Sequence, residues 1–86
     1  MKEHELRTWP ESFQAIVSGK KRYEVRPDDR DFEVGDLLVL REWDPTTKTY
    51  SGNAVRAEVT YLTRGQFGVP SGLVVMSISA PRSLTE

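Results

Sequence analysis

The spacing of apolar residues changes once along the chain, at Gly19, and this change limits which folds the chain can adopt. Before Gly19, the residues Phe13, Ile16 and Val17 recur at intervals of three and four, which is the spacing of one helix face. After Gly19, apolar and polar residues alternate, which is the spacing of strands. The sequence therefore predicts one short helix near the start, followed by a mainly β chain.

The ends of this helix carry recognisable signals. Thr8 and Glu11 have the spacing of a capping box, so we expect Thr8 to be the N-cap. Pro10 fits the first turn, where its missing N–H has no intrahelical partner to lose. Gly19 supplies the left-handed residue that ends a helix.

The first strand after the helix is expected to begin near Arg22. Its alternation predicts that Tyr23 and Val25 face the core, whereas Glu24 and Arg26 lie on the opposite side with Arg22.

A later strand, 54–63, alternates regularly and should turn Val55, Ala57, Val59 and Tyr61 toward the core. A hairpin connection that opens at 44–45 and closes near 52–53 precedes it, and a glycine-rich loop follows over 64–72. The remaining predicted strands are an edge strand at 4–7, a strand at 37–43 covered on both faces, and a last strand at 73–79.

These elements predict an α+β, mainly β fold: a small β-barrel of about five or six strands with one short helix after the first strand. A barrel removes the exposed edges that a small open sheet would leave. We expect a single domain over 1–80 and a flexible tail over 81–86.

Composition excludes several classes of site. The 86 residues include no cysteine and a single histidine, His4, which excludes thiolate chemistry and a zinc site with several histidine ligands. We expect no metal and no cofactor. The sequence has no long apolar run and no signal-peptide pattern, so we expect a cytoplasmic protein without a membrane partner.

Charge is unevenly distributed although the net charge is only -1. The segment 1–26 has a balance of +2, whereas 27–45 has a balance of -5. A cationic cleft for an anionic ligand, rimmed by acids, would explain this pattern, and so would solvated charges that pair across a turn.

The segment 19–26 matches the pattern G-x-K-x-x-E-x-R through Gly19, Lys21, Glu24 and Arg26. Here the chain resembles the ASCH domains, a branch of the PUA-like superfamily. The resemblance extends over nearly the whole chain, through the preceding helix and the downstream turn into the strand at Leu37, and is strongest to a small compact ASCH-like subgroup.

The resemblance implies a PUA-like β-barrel with a cleft beside the helix, and a ligand that is RNA, a nucleotide or a nucleoside. The positions that it assigns to this cleft are Lys21, Glu24, Arg26, Arg30, Arg7 and His4.

The chemistry of the motif fits such a ligand. Arg26 offers a planar fork for a phosphate, and Lys21 a point charge. Glu24 can accept a hydrogen bond from the exocyclic amine of a base, or it can simply pair with the two cations and stabilise the strand.

The aromatic residues Trp9, Trp43 and Tyr50 are candidates for stacking on a base, although core packing is the more common role for any one of them. Tyr50, in the predicted hairpin, is expected to be the most exposed of the three.

Two other functions stay open at this point. Some ASCH-like proteins are amidohydrolases of a modified nucleoside and others are associated with ribonuclease activity, which would make Lys21 and Glu24 catalytic. Those amidohydrolases carry threonine at the position of Glu24, and their third catalytic group lies in a helical region that this chain lacks after Thr63.

A protein-interaction domain that uses the acidic loop 28–36 is the third hypothesis. A lysine next to a glutamate stays charged and suits anion binding, so we expect an RNA- or nucleotide-binding domain rather than an enzyme.

Overall fold

The computed structural model describes residues 1–84 and confirms a mainly β chain with one short helix after the first strand. Within these residues, no helix is long and apolar enough to span a membrane. The elements are β1 (Glu3–Thr8), α1 (Pro10–Val17), β2 (Tyr23–Pro27), β3 (Leu37–Asp44), β4 (Thr49–Arg64), β5 (Leu73–Ile78) and β6 (Arg82–Ser83).

The six strands form one sheet in the order β1-β3-β4-β5-β2, with β6 paired to β4. β1 and β3 are parallel, and all other pairs are antiparallel. The long strand β4 pairs with β3 up to Glu58 and with β5 from Val59 onward, so it belongs to both halves of the sheet. The order is open, because no backbone pairing joins β1 to β2 within residues 1–84.

Buried apolar side chains from both halves of the sheet meet below the helix. α1 contributes Phe13 and Ile16, which are 3% and 0% exposed. Burying each of these two side chains stabilises the fold by roughly 1.5–3 kcal/mol, which holds a helix that is too short to be stable alone. The buried cluster consists of Leu6, Phe13, Ile16, Phe32, Leu38, Leu40, Val55, Ala57, Val59, Val74, Met76 and Ile78.

The predicted N-cap is wrong. Trp9 occupies the cap position of α1, without a side-chain cap hydrogen bond, and Pro10 is the first helical residue. Thr8 instead ends β1, where it pairs with Glu42 of β3 and is buried. Because this pairing keeps Thr8 extended, the helix begins after it and the Thr8 hydroxyl is left for other partners.

The predicted inward face of β2 is also wrong. Tyr23 and Val25 are 49% and 46% exposed, whereas Glu24 is 3% exposed. The reason is the pairing with β5, in which Glu24 lies opposite the fully buried Met76. Since paired residues point to the same side of a sheet, the register with β5 turns Glu24 inward together with Arg26.

The alternation in β4 holds only as far as Val59. Val55, Ala57 and Val59 are buried as predicted, but Tyr61 is 66% exposed. A register shift between Val59 and Tyr61 adds one residue to the strand, and such a bulge reverses the faces that follow.

Two boundaries differ from the predicted ones. β4 begins at Thr49, so the hairpin connection is shorter than predicted. Arg82 and Ser83, in the segment predicted as a tail, pair with Arg56 and Val55 of β4. Residues 85–86 of that predicted tail lie outside the described residues.

Gly19 ends the helix with a φ of +83°, which confirms the predicted left-handed residue. We expect Gly19→Ala to lower the free energy of unfolding by about 1–2 kcal/mol, the cost of a left-handed conformation for a residue with a Cβ. The added Cβ would lie 3.5 Å from an Arg22 terminal nitrogen, an ordinary contact, so the backbone alone accounts for the loss. Urea denaturation of the variant and the wild type measures this loss of unfolding free energy.

The matched control is Ser18→Ala, at the neighbouring position, whose φ of -77° suits any residue. We expect that variant to change the unfolding free energy by less than about 0.5 kcal/mol. Equal losses for the two variants would contradict this explanation of the helix end.

Candidate ligand-binding cleft

Within residues 1–84, β1 and β2 each have one edge without a strand partner, and these two edges face each other across a gap, which we call the seam. Arg26 of β2 crosses it, because its Nη2 donates a hydrogen bond to the Thr8 hydroxyl of β1 at 3.3 Å. A cavity of about 190 Å³ opens at the helix end of the seam. We call it the inner cavity, and it is lined by Arg7, Thr8, Trp9, Ser12, Lys21, Glu24, Val25 and Arg26.

The three charged residues of the G-x-K-x-x-E-x-R motif come together in the inner cavity. Arg26 Nη2 lies 3.2 Å from Oε1 of the buried Glu24, and Lys21 Nζ lies 3.8 Å from its Oε2. Lys21 Nζ also donates a hydrogen bond to Ser12 Oγ at 2.9 Å. A buried carboxylate needs such partners, and two cations around one anion leave this group with a net positive charge.

A second, larger cavity continues from the first along the seam. This outer cavity has a volume of about 430 Å³ and shares Arg7 and Arg26 with the inner cavity. Its lining contains four arginines and one carboxylate. The lining residues are Glu5, Leu6, Arg7, Arg26, Arg30, Arg41 and Tyr50.

Only one of the four arginines is matched to the carboxylate. Arg41 contacts both carboxylate oxygens of Glu5, each at 3.3 Å. Arg30 Nη1 donates instead to the Glu5 backbone carbonyl at 2.7 Å, which leaves the Glu5 charge to Arg41. Arg30 also lies 4.0 Å from Asp29, and Arg26 shares Glu24 with Lys21. Among the described residues, Arg7 is thus the lining arginine without a carboxylate partner, and it leaves the outer cavity with positive charge.

Arg7 is an exposed cation of the cleft. Its Nε donates to the Tyr50 hydroxyl at 3.2 Å, and its guanidinium carbon lies 4.7 Å from the centre of the Trp43 ring. Within residues 1–84, its two terminal nitrogens have no hydrogen-bond partner. A guanidinium held over an aromatic ring and left with two free donors is suited to a phosphate or a base edge.

His4 is the one resemblance-based position that the structure does not bring to the seam. β1 alternates, and His4 shares its buried face with Leu6 and Thr8. Its Nε2 lies 2.9 Å from Asp36 Oδ2, and its ring packs against Phe32 with the centroids 4.6 Å apart. His4 is thus a buried partner of Asp36 in the core.

Asp36 is buried as well, at 1% exposure. Burial by itself raises the pKa of this carboxyl, but hydrogen bonds from His4 and from the backbone N–H groups of Lys2 and Glu33 outweigh it. The result is a pKa lowered from 3.8 to about 2. Because a carboxylate only accepts, His4 Nε2 carries the hydrogen of this bond.

The lowered pKa makes stability depend on acid pH. A carboxyl whose pKa is depressed in the folded state contributes stability above its unfolded pKa, and this contribution is lost as pH falls. For Asp36 we expect about 2 kcal/mol to disappear between roughly pH 4 and pH 2. Carboxyl ¹³C NMR of Asp36 measures the titration directly, and a midpoint at or above 3.8 would contradict the hydrogen-bonded arrangement.

Sequence reasoning missed several residues of the cleft. Arg41 reaches the outer cavity because the parallel register places it beside Arg7. Ser12 and Thr8 enter through long-range contacts with Lys21 and Arg26. No local pattern identifies these three.

Among the aromatic candidates, Trp9 is 62% exposed and Tyr50 is 51% exposed. Trp9 and not Tyr50 is thus the most exposed of the three. Trp9 lines the inner cavity and Tyr50 lines the outer cavity, whereas Trp43 is half-buried beneath the Arg7 guanidinium.

The acidic loop 28–36 pairs its carboxylates with cations of the same chain. Asp28 binds Arg64 at 2.6 Å, and Lys2 lies 3.4 Å from Asp31 and 2.9 Å from Glu33. In the described part of the chain, no group of three or more potential metal ligands is close enough to hold an ion. Lys2 is shared by two carboxylates, and Asp29 lies 4.0 Å from Arg30, so among the described residues the loop keeps more carboxylates than cationic partners.

Comparison with known proteins adds two findings. A family model described as "Domain of unknown function (DUF3850)" matches residues 3–78. The "Uncharacterized 12.9 kDa protein in GpA 3'region" of Escherichia phage P2 is 39% identical over 62 residues. That alignment covers 72% of this chain and 55% of the phage protein, so the chain spans about half the length of this relative.

Proposed function

The chain belongs to the DUF3850 family, and we propose that it is a domain that binds RNA or nucleotides through the seam. One observation carries the proposal: Arg7 and Arg26 line both cavities, and the combined lining of the two cavities contains more arginines than carboxylates. A concave surface of one sign concentrates ligands of the other sign. Phosphodiester groups have that sign and match the fork of arginine.

The aromatic residues of the seam can bind the bases of a ligand whose phosphates the arginines bind. Trp9 at the inner cavity and Tyr50 at the outer cavity are both more than half exposed. Unstacked bases of single-stranded RNA bind by stacking on such rings. Cations and aromatic rings along one cleft are the combination that single-stranded nucleic acids require.

The fold that goes with this proposal is a PUA-like barrel of the ASCH type. The motif residues Lys21, Glu24 and Arg26 gather beside the helix, at the place where the resemblance expects a cleft. In this proposal β1 and β2 are the two strands between which the barrel closes. The hydrogen bond from the Arg26 side chain to Thr8 connects them in place of backbone pairing.

Titration of a labelled single-stranded RNA oligomer at several salt concentrations tests the function. Contacts from Arg7, Arg26 and Arg30 to about three phosphates should make log affinity fall with log salt at a slope near -2. An affinity that does not change with salt, or no binding at low salt, would contradict the proposal.

One contact keeps a second candidate function in view. Lys21 Nζ and Ser12 Oγ lie 2.9 Å apart in the inner cavity, and serine–lysine pairs serve as nucleophile and base in some hydrolases. In this chain Lys21 Nζ also lies 3.8 Å from the Glu24 carboxylate, so the lysine contacts an anion as well as the serine.

Glu24→Gln separates the two functions. In a binding domain, removing the one carboxylate of the inner cavity should tighten RNA binding by a few-fold, because the net positive charge there rises. In a hydrolase of acylated nucleosides, the same change should abolish turnover. Wild-type turnover that Glu24→Gln removes would favour the enzyme, and tighter binding without wild-type turnover would favour the binding domain.

A further inference from the structure

A third cavity lies at the β6 edge of the sheet half formed by β1, β3, β4 and β6, away from the seam at the β1 edge. It has a volume of about 510 Å³, and Arg56 of β4 and Arg82 of β6 line it together with Glu58. Within residues 1–84, neither guanidinium has a hydrogen-bond or ion-pair partner. We call this the distal cavity.

Arg56 and Arg82 are cross-strand neighbours, because the pairing of β4 with β6 sets them directly opposite each other. Two like charges in this position repel and destabilise a strand pair. A bound anion between them would remove the repulsion, so the pair has the chemistry of an anion site.

The strand registers connect this pair to the seam. Arg56 lies opposite Val39 of β3, and Arg41, two residues further along β3, lies opposite Arg7 of β1. Residues two apart on a strand share a face, and so do residues in register across strands. Arg7, Arg41, Arg56 and Arg82 therefore lie on one face, and we call this row the arginine track.

The arginine track crosses four strands. At a strand spacing of about 4.8 Å and a rise of about 3.4 Å per residue, it is roughly 16 Å long. The same face also carries Glu5, which Arg41 neutralises, and Glu3 and Glu58, which flank Leu37 in the register at one end of the face. The track thus consists of Arg7, Arg56 and Arg82, which have no acidic partner among residues 1–84, and of Arg41, whose charge Glu5 balances.

We infer that the arginine track extends the seam into a binding surface for a single-stranded polynucleotide, with the distal cavity holding a phosphate several nucleotides from the seam. The inference rests on the proposed function and deepens it, because it selects a polymer over a mononucleotide. A dinucleotide can occupy the seam alone, whereas only a longer strand reaches Arg56 and Arg82.

The test compares a labelled uridine dinucleotide with a labelled uridine octanucleotide by fluorescence anisotropy. For the wild type we expect the octanucleotide to bind at least about 10-fold more tightly than the dinucleotide. The double variant Arg56→Ala/Arg82→Ala should lose most of this gain and leave the dinucleotide affinity unchanged. Its salt slope for the octanucleotide should be less steep by about 1.4, the loss of two phosphate contacts.

A charge-preserving double variant, Arg56→Lys/Arg82→Lys, is the matched control and should keep most of the gain. An octanucleotide that binds no better than the dinucleotide, or that binds the alanine variant as tightly as the wild type, would overturn the inference. If dinucleotide binding still depended on Arg7 in that case, the proposed function would stand and the track alone would fail. If neither probe bound, both would fail.

Discussion

Replacing Asp36 by asparagine is expected to lower the free energy of unfolding by about 2–3 kcal/mol, since it disrupts a buried hydrogen-bonded carboxylate. Asp36 accepts from Lys2 N at Oδ1 and from His4 Nε2 and Glu33 N at Oδ2. Asparagine has one oxygen and one NH2 group, so in either orientation its NH2 group faces at least one backbone donor. The site is only 1% exposed, and water cannot relieve this conflict.

Thermal and urea unfolding measure the loss. For a chain of this size each kcal/mol moves Tm by roughly 4–8 °C, so Tm should fall by about 10–20 °C. Asp31→Asn is the matched control, because Asp31 belongs to the same loop but its side chain is 89% exposed. That variant should change stability by less than about 0.5 kcal/mol. Similar losses for the two variants would contradict a structural role for the buried carboxylate.

Replacing Arg7 by alanine is expected to weaken RNA binding at least about 10-fold. The loss corresponds to one charge-assisted contact, worth about 1.5–3 kcal/mol, together with the guanidinium face held over Trp43. The salt slope should become less steep by about 0.7, the value for one phosphate on a single strand. Because Arg7 is exposed, stability should change little.

Arg22→Ala is the control for the loss of one positive charge outside the cleft. Arg22 is exposed and lies near Arg26 in the sequence, but it lines none of the cavities described above. We expect its affinity to stay within about three-fold of the wild type. Arg7→Lys keeps the charge without the fork and should fall between the two. If Arg7→Ala and Arg22→Ala weaken binding equally, the cleft is not the binding site.

Local signals predicted the elements of this fold well. Gly19 ends the helix because a left-handed residue is needed there, and the run at 37–43 becomes strand β3, between β1 and β4. The motif also predicted that Lys21, Glu24 and Arg26 gather in one place. The first two outcomes depend on residues close together in the sequence, and the third was an expectation from the resemblance.

What the sequence did not reveal depends on long-range register. The alternation around Val25 favoured an apolar inward face, but pairing with β5 turned Glu24 inward, where two cations stabilise it. The bulge in β4 exposes Tyr61, and nothing in the local pattern marks it. Arg41 enters the cleft only through its register with Arg7.

The interior around His4 was missed for the same reason. A single histidine near the start of a chain has no local feature that separates a ligand-binding role from a core role. Asp36 lies 32 residues away, and only the folded chain brings its carboxylate to within 2.9 Å of the imidazole. Phe32, in a loop that reads as polar and acidic, closes over the same ring.

An NMR titration with single-stranded RNA, followed through the side-chain Nε–H signals of the arginines, tests most directly whether the seam is the binding site. The signals of Arg7, Arg26 and Arg30 should move most and saturate together, while that of Arg22 stays in place. A shift of Arg30 without Arg7 and Arg26, a shift of Arg22 as large as that of Arg7, or no shift at a saturating RNA concentration would contradict the account.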